Sequence, residues 1–353
     1  MNQPAQKVID CDVHNEFTDH MDLVPYLKEP WKSQVAQFGL RIPFTYASPI
    51  GVLRKDAVPP NGGVPGSDPE YMLKYLLEAY NMEHVVLTGD QTIHVSIHQD
   101  PDYAAALASA YNDYLIDQWL SKSDKFRGAM TVAMQDPAQA VREIERIGAH
   151  PGIVEIVIGS ASPMPYGHRY YHPVYEAAER LGLPIAIHPG SEGSGISGKP
   201  TAAGYPSTYL QWHTSLSQNF MAQLISLVCE GVFEKFPNLK FIFCEGGVAW
   251  LPHLMWRLDK NFKALRSTAP WLKKMPSQYI RDNCYLTTQP IEEPQDFKHL
   301  LSIFDMIDAE NILLFSSDYP HWDFDDPTAI LKRLSPEARH KIFYQNAKDL
   351  YKL

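Results

Sequence analysis

Cysteine is scarce in this chain: four in 353 residues (Cys11, Cys229, Cys244 and Cys284), none in a CxxC pair. That spacing excludes a thiolate metal cluster. Three of the four fall in expected strands and Cys229 in an expected helix, where a reduced thiol packs as a small hydrophobe. No run of 18 apolar residues occurs, so no membrane span is expected. The apolar run at Val8 starts too early to leave room for a leader, and with reduced thiols this points to a cytoplasmic protein. Positive charge is also in short supply. Thirty-one Lys and Arg against 41 Asp and Glu leave a net charge of -10, which argues against a nucleic-acid surface or an anionic membrane face. No internal repeat and no low-complexity tail is visible.

What the chain does have is apolar material, 45% hydrophobic and 12% aromatic, enough for a large core. Eight apolar runs recur: Val8–His14, His84–Gly89, Phe126–Met134, Gly152–Gly159, Pro184–Pro189, Lys240–Glu245, Cys284–Thr288 and Asn311–Ser316. Most are apolar on both faces, as strands of a parallel sheet covered on both sides must be. Amphipathic segments lie between them. Asp100-Pro101, Asp136-Pro137, Asp326-Pro327 and Ser335-Pro336 each place proline just inside a capping side chain. Strand and helix alternating eight times predict a (β/α)8 barrel, one domain spanning residues 1–353. Asn15–Pro65 is too long for a plain strand-to-helix loop, and its prolines and aromatics (among them Trp31, Phe44, Tyr46 and Pro49) predict a packed lid over the barrel mouth. The glycine-rich stretch Gly190–Tyr209 is a second long loop on that rim.

Side chains at the C-terminal ends of barrel strands carry the chemistry of this fold. Read in order, those ends present Asp12 and His14, then His188, Glu245 and Asp318. Asp10, Asp12 and His14 alternate along the first strand and are expected to share a face. Five such residues on one rim predict a bound metal. Two imidazoles with two or three carboxylates suit Fe or Mn at least as well as Zn. His213, His253 and His321 are spare imidazoles for a second position next to Glu245, with His321 the best placed by sequence and His253 better explained by packing. His94, Trp212 and Trp322 are weaker candidates for the substrate pocket. His94 and His98 have ligand spacing only if helical, and Thr92–Gln99 offers little helix propensity. Glu155, inside the fourth strand, needs a partner, for which Arg127 is the expected one.

In order and position these motifs resemble the amidohydrolase superfamily, in its branch containing aminocarboxymuconate-semialdehyde decarboxylase. Asp12-x-His14, Ala-Ile-His188-Pro, Glu245-Gly-Gly, Ser317-Asp318-Tyr-Pro-His321 and the closing Asn346-Ala347-x-x-Leu350-Tyr351 carry the likeness. The resemblance implies a metal held by Asp12, His14, His188 and Asp318, with Asp318 as the acid/base. It also shows two departures. Glu245 stands where the decarboxylases carry His, and no bridging Lys follows the fourth strand, which ends Val157-Ile158-Gly159-Ser160.

The reading that follows is a hydrolase of a small amide, lactone or cyclic imide, using a metal-bound water with Asp318, Glu245 and His321 as catalytic groups. Its alternatives are a non-oxidative decarboxylase of an aromatic or unsaturated acid, and an Fe/Mn oxygenase or its partner subunit. The expected cofactor is one divalent ion (Zn, Mn or Fe), or two if Glu245 bridges. The expected partners are a small-molecule substrate and a second copy of the chain or a related subunit.

Overall fold

A computed structural model describes residues 6–43 and 52–353. The eight apolar runs become eight strands: β1 (Val8–Val13), β2 (Met82–Leu87), β3 (Phe126–Thr131), β4 (Ile153–Gly159), β5 (Ile185–His188), β6 (Phe241–Phe243), β7 (Cys284–Thr287) and β8 (Leu313–Leu314). They form one sheet in the order β1 to β8, with every neighbouring pair parallel. This is the expected (β/α)8 barrel. Three of the four caps read from the sequence hold: Asp100, Asp136 and Ser335 accept hydrogen bonds from first-turn N–H groups of helices Pro101–Tyr114, Pro137–Ile147 and Pro336–His340, whereas Asp326 accepts from Thr328 N–H in a run of turns that forms no helix.

The barrel closes where β1 meets the chain running out of β8. Cys11 N–H donates to Phe315 O at 2.9 Å, Asp318 N–H to Asp12 O at 3.1 Å, and His14 N–H to Tyr319 O at 2.7 Å. Inside lie Ile9, Cys11, Val86, Ala129, Val157, Ala186, Ile242, Cys244 and Leu314, one or two from most strands. Tyr344, Ala347 and Tyr351 of the C-terminal helical segment join this cluster. The alternation expected along β1 fails. Pairing with β2 shifts register between Asp10 and Val13, so Asp12 turns toward the site while Asp10 stays apart, its Oδ1 accepting from the N–H groups of Ser317 and Asp12.

Glu155 finds a different partner from the one expected. Tyr351 OH donates to its Oε2 at 2.8 Å, while Arg127 donates to the carbonyls of Asp124 and Phe126. Burial pushes the Glu155 carboxyl up to about 8, from an ordinary 4.5. The folded chain therefore holds this proton where the unfolded chain has lost it. The resulting stability is complete below about pH 4.5 and is lost as pH climbs through about 8. In metal-stripped protein, Glu155→Gln is expected to flatten the alkaline fall in Tm between pH 6 and pH 9. A fall as steep as in the wild type would show that Glu155 does not titrate there.

The described parts of the long insertion divide in two. Val24, Leu27, Val35 and Ile42 pack with Tyr103, Ala104 and Leu107 of the helix Pro101–Tyr114. Residues 52–67 run along the mouth instead: Leu53 bridges His321, and Arg54 N–H donates to Pro320 O at 2.9 Å. Phe44, Tyr46 and Pro49, counted in the expected lid, lie outside the described residues. His94 does sit in a helical turn, Gln91–Ile97, contrary to the sequence reading of a loop.

Candidate metal centre

Each strand-end residue reaches the mouth by a particular local device. Asp318 and Glu245 have φ of +60° and +58°, conformations that cost a non-glycine residue about 1–2 kcal/mol. Fixed bonds hold these turns: Glu245 N–H donates to Thr287 Oγ1 at 3.0 Å, and Asp318 N–H is held by Asp12 O. Gln289 Nε2 donates to Asp318 Oδ2 at 3.2 Å and Thr88 Oγ1 to Asp12 Oδ1 at 2.8 Å. His14 Nδ1 is bonded to the carbonyl of Gly89 and His188 Nδ1 to that of Pro189 at 2.9 Å. Gly89 has φ +67°, and a Cβ there would lie 2.5 Å from Tyr111 Oη.

An imidazole that donates from Nδ1 leaves a bare lone pair on Nε2. His14 Nε2 lies 2.8 Å from Asp318 Oδ1 and 3.6 Å from Asp12 Oδ1, and His188 Nε2 lies 3.3 Å from Asp12 Oδ2. Lone pairs facing carboxylates repel unless a cation or proton lies between them. Asp12 Oδ2, His14 Nε2 and His188 Nε2 are all buried without a hydrogen-bond partner. Donor atoms of Asp12, His14 and His188 lie within 4.8 Å of one another, as do those of His14, Asp318 and His321. The electrostatics agree: burial opposes charge on His188, yet Asp12 and then Glu245 hold its pKa up to about 9. The negative charge that would keep a proton there also attracts a divalent ion, and these donors fit one.

Asp318 and His321 act as a unit, with His321 Nδ1 2.7 Å from Asp318 Oδ1. Burial works against both charges. The imidazolium of His321 and then the His14 ring beside it nevertheless hold the Asp318 carboxyl far below the usual range, and Asp318 in turn holds His321 above the ordinary histidine value.

The structure also brings Glu245 beside His188 and His213, each 3.5 Å away. An imidazole thus stands beside Glu245, brought there by an element other than β6. His213 sits on a short helix, Tyr209–Thr214, which Thr208 and Gln211 cap. His94, Trp212, Tyr209, Val52 and Pro189 line the narrow cleft over the ligands, about 90 Å³. His94 Nε2 is 2.9 Å from Gly190 O. Trp322 is exposed at the rim, its Nε1 3.4 Å from Tyr209 Oη. His253 is exposed on the helix Trp250–Leu265, outside the site.

Two cleft residues went unread in the sequence, Asp90 and Asp323. Asp90 follows Gly89 past the end of β2, and Asp323 lies five residues beyond Asp318. Asp90 directly abuts the run His84–Gly89, a signal passed over, whereas for Asp323 the only signal was the density of Asp and His between 318 and 326.

A barrel with this carboxylate–imidazole rim places the chain in the amidohydrolase family, whose model matches residues 9–353. Among its relatives, gamma-resorcylate decarboxylase of Polaromonas sp. is 29% identical over 292 residues, covering 79% of this chain and 86% of that protein. The 2-amino-3-carboxymuconate-6-semialdehyde decarboxylase of Dictyostelium discoideum is 24% identical over 222 residues, 62% and 58% of the two chains. The crystal structure of 5-carboxyvanillate decarboxylase from Novosphingobium aromaticivorans, complexed with manganese, superposes with a TM-score of 0.71 at 21% identity, covering 100% of both chains.

The resemblance read from the motifs is thus borne out, and with it an enzyme; the donor groups a divalent metal would need are in place. The hydrolase expectation is not borne out. The relatives are decarboxylases, which favours the decarboxylase alternative over hydrolysis. The change of β6 residue misled the sequence reading, because His213 could not be seen beside Glu245. Among the described residues, no helix is long and apolar enough to cross a membrane.

Proposed function

We propose that this chain is a manganese-dependent, non-oxidative decarboxylase of a hydroxylated aromatic carboxylic acid. The observation that carries this reading is the buried set Asp12, His14, His188 and Asp318, with unpartnered donor atoms converging beside the Asp318–His321 pair. The relatives' activities supply the reaction class. A divalent metal, when bound, supplies the positive centre that holds the substrate's carboxylate and adjacent hydroxyl.

The chain's own residues do the rest. Val52, Pro189, Tyr209 and Trp212 provide walls for an aromatic ring. The Asp318–His321 pair holds the proton that the ring carbon bearing the carboxylate takes up. As the carbon–carbon bond breaks, its electron pair returns to the ring and carbon dioxide leaves. Asp12 and His14, locked from behind by Thr88 and the Gly89 carbonyl, keep the acid from drifting.

The test is turnover of 2,6-dihydroxybenzoate and 5-carboxyvanillate by manganese-loaded protein in D2O. Carbon dioxide release, one deuterium at the vacated ring carbon and loss of activity on chelation are expected. Oxygen from labelled water entering the product, without carbon dioxide, would overturn the reading.

A further inference from the structure

The mouth holds a second group of donors that decarboxylation does not use. His213 Nε2 lies 3.5 Å from Glu245 Oε1 and 3.4 Å from Asp323 Oδ2, with donor atoms of all three residues within 4.8 Å of one another. His213 Nε2 and Asp323 Oδ2 are buried and meet no hydrogen-bond geometry. Glu245 faces both groups: its Oε2 is 3.5 Å from His188 Nε2 and its Oε1 the same distance from His213. From these contacts we propose that His213, Glu245 and Asp323 hold a second divalent cation, with Glu245 bridging it to the one held by Asp12, His14, His188 and Asp318.

Charge supports the assignment. Asp12, Asp90, Asp318, Glu245 and Asp323 bring five carboxylates to one largely buried mouth, and with the proton held by the Asp318–His321 pair counted, a single dication leaves two of those charges uncompensated. A second dication balances them, and carboxylate bridging is what lets two such ions lie about 4 Å apart. One imidazole and two carboxylates suit Mn(II), Fe(II) or Zn(II). Three separate elements fix the donors. The Thr208–Gln211 capping box sets the His213 helix, Thr287 holds the Glu245 backbone, and Gln289 Nε2 donates to Asp323 O at 3.4 Å. No Lys from β4 is involved, because that strand ends at Gly159-Ser160.

The site does not depend on the reaction proposed above, and metal content tests it without an assay of turnover. Full-length protein reconstituted with Mn(II) and desalted is expected to retain two ions per chain, with the low-temperature EPR signal of a coupled pair. His213→Ala and Asp323→Asn are each expected to retain one, with the six-line signal of isolated Mn(II) and unchanged circular dichroism. One ion per chain in the wild type, with an isolated signal, overturns the proposal even if decarboxylation is robust. Two ions retained in both variants overturn the ligand assignment. Two ions in the wild type falling to one in the variants uphold it even if no aromatic acid is decarboxylated.

Discussion

His188→Ala is expected to purify as a folded barrel that has lost its metal and its turnover together. His188 closes β5, buried, with Nδ1 tied to the next carbonyl and Nε2 aimed at Asp12 and Glu245. Removing it takes away one of only two imidazoles among the four principal ligands. Loss of a supporting residue behind a metal ligand costs roughly 10–100-fold in affinity, and loss of a ligand itself should cost more. The barrel should survive, because losing one buried polar side chain costs about 1–3 kcal/mol against a typical domain stability of about 5–15 kcal/mol. Elemental analysis with circular dichroism decides the matter. Normal metal content in a folded variant would remove His188 from the ligand set.

Asp318→Asn should lower kcat by about 10²–10⁴-fold, the range for loss of a positioned acid/base. A second effect separates this from simple loss of a metal ligand. The Asp318 charge holds the His321 pKa above its ordinary value against burial, so without it that pKa falls. Protonated His321 then disappears at lower pH, and the alkaline limb of the residual kcat profile should move down in pH. A profile of unchanged shape, merely scaled, would mean that the two residues do not share the proton.

How far these residues could be read in advance follows from their surroundings. All eight strands were legible because burial on both faces writes a continuous apolar run, whatever the loops do. Their ends were legible too, since Ile187-His188 and Cys244-Glu245 are abrupt changes of polarity. The Asp12 rotation was not, because a register shift inside β1 leaves no mark on composition. Nor was the meeting of His213 with Glu245 and Asp323, which depends on a short helix folding back over the mouth. Alternation and helical period describe single elements, whereas that cluster exists only between elements. The same limit produced the hydrolase reading: one residue of β6 was weighed without the imidazole that stands beside it.

The closure between β1 and β8 has a mechanical consequence. β8 is two residues long, and the chain beyond it is tied to β1 by a handful of backbone bonds. Asp12 and His14 stand on one side of that joint and Asp318 on the other. An ion shared by them acts as a rivet through the barrel's shortest splice, joining segments about 300 residues apart in the chain. Part of its binding energy then appears as resistance to opening at that splice. Amide exchange around Cys11, His14 and Asp318 should therefore quicken on chelation before it quickens elsewhere in the barrel.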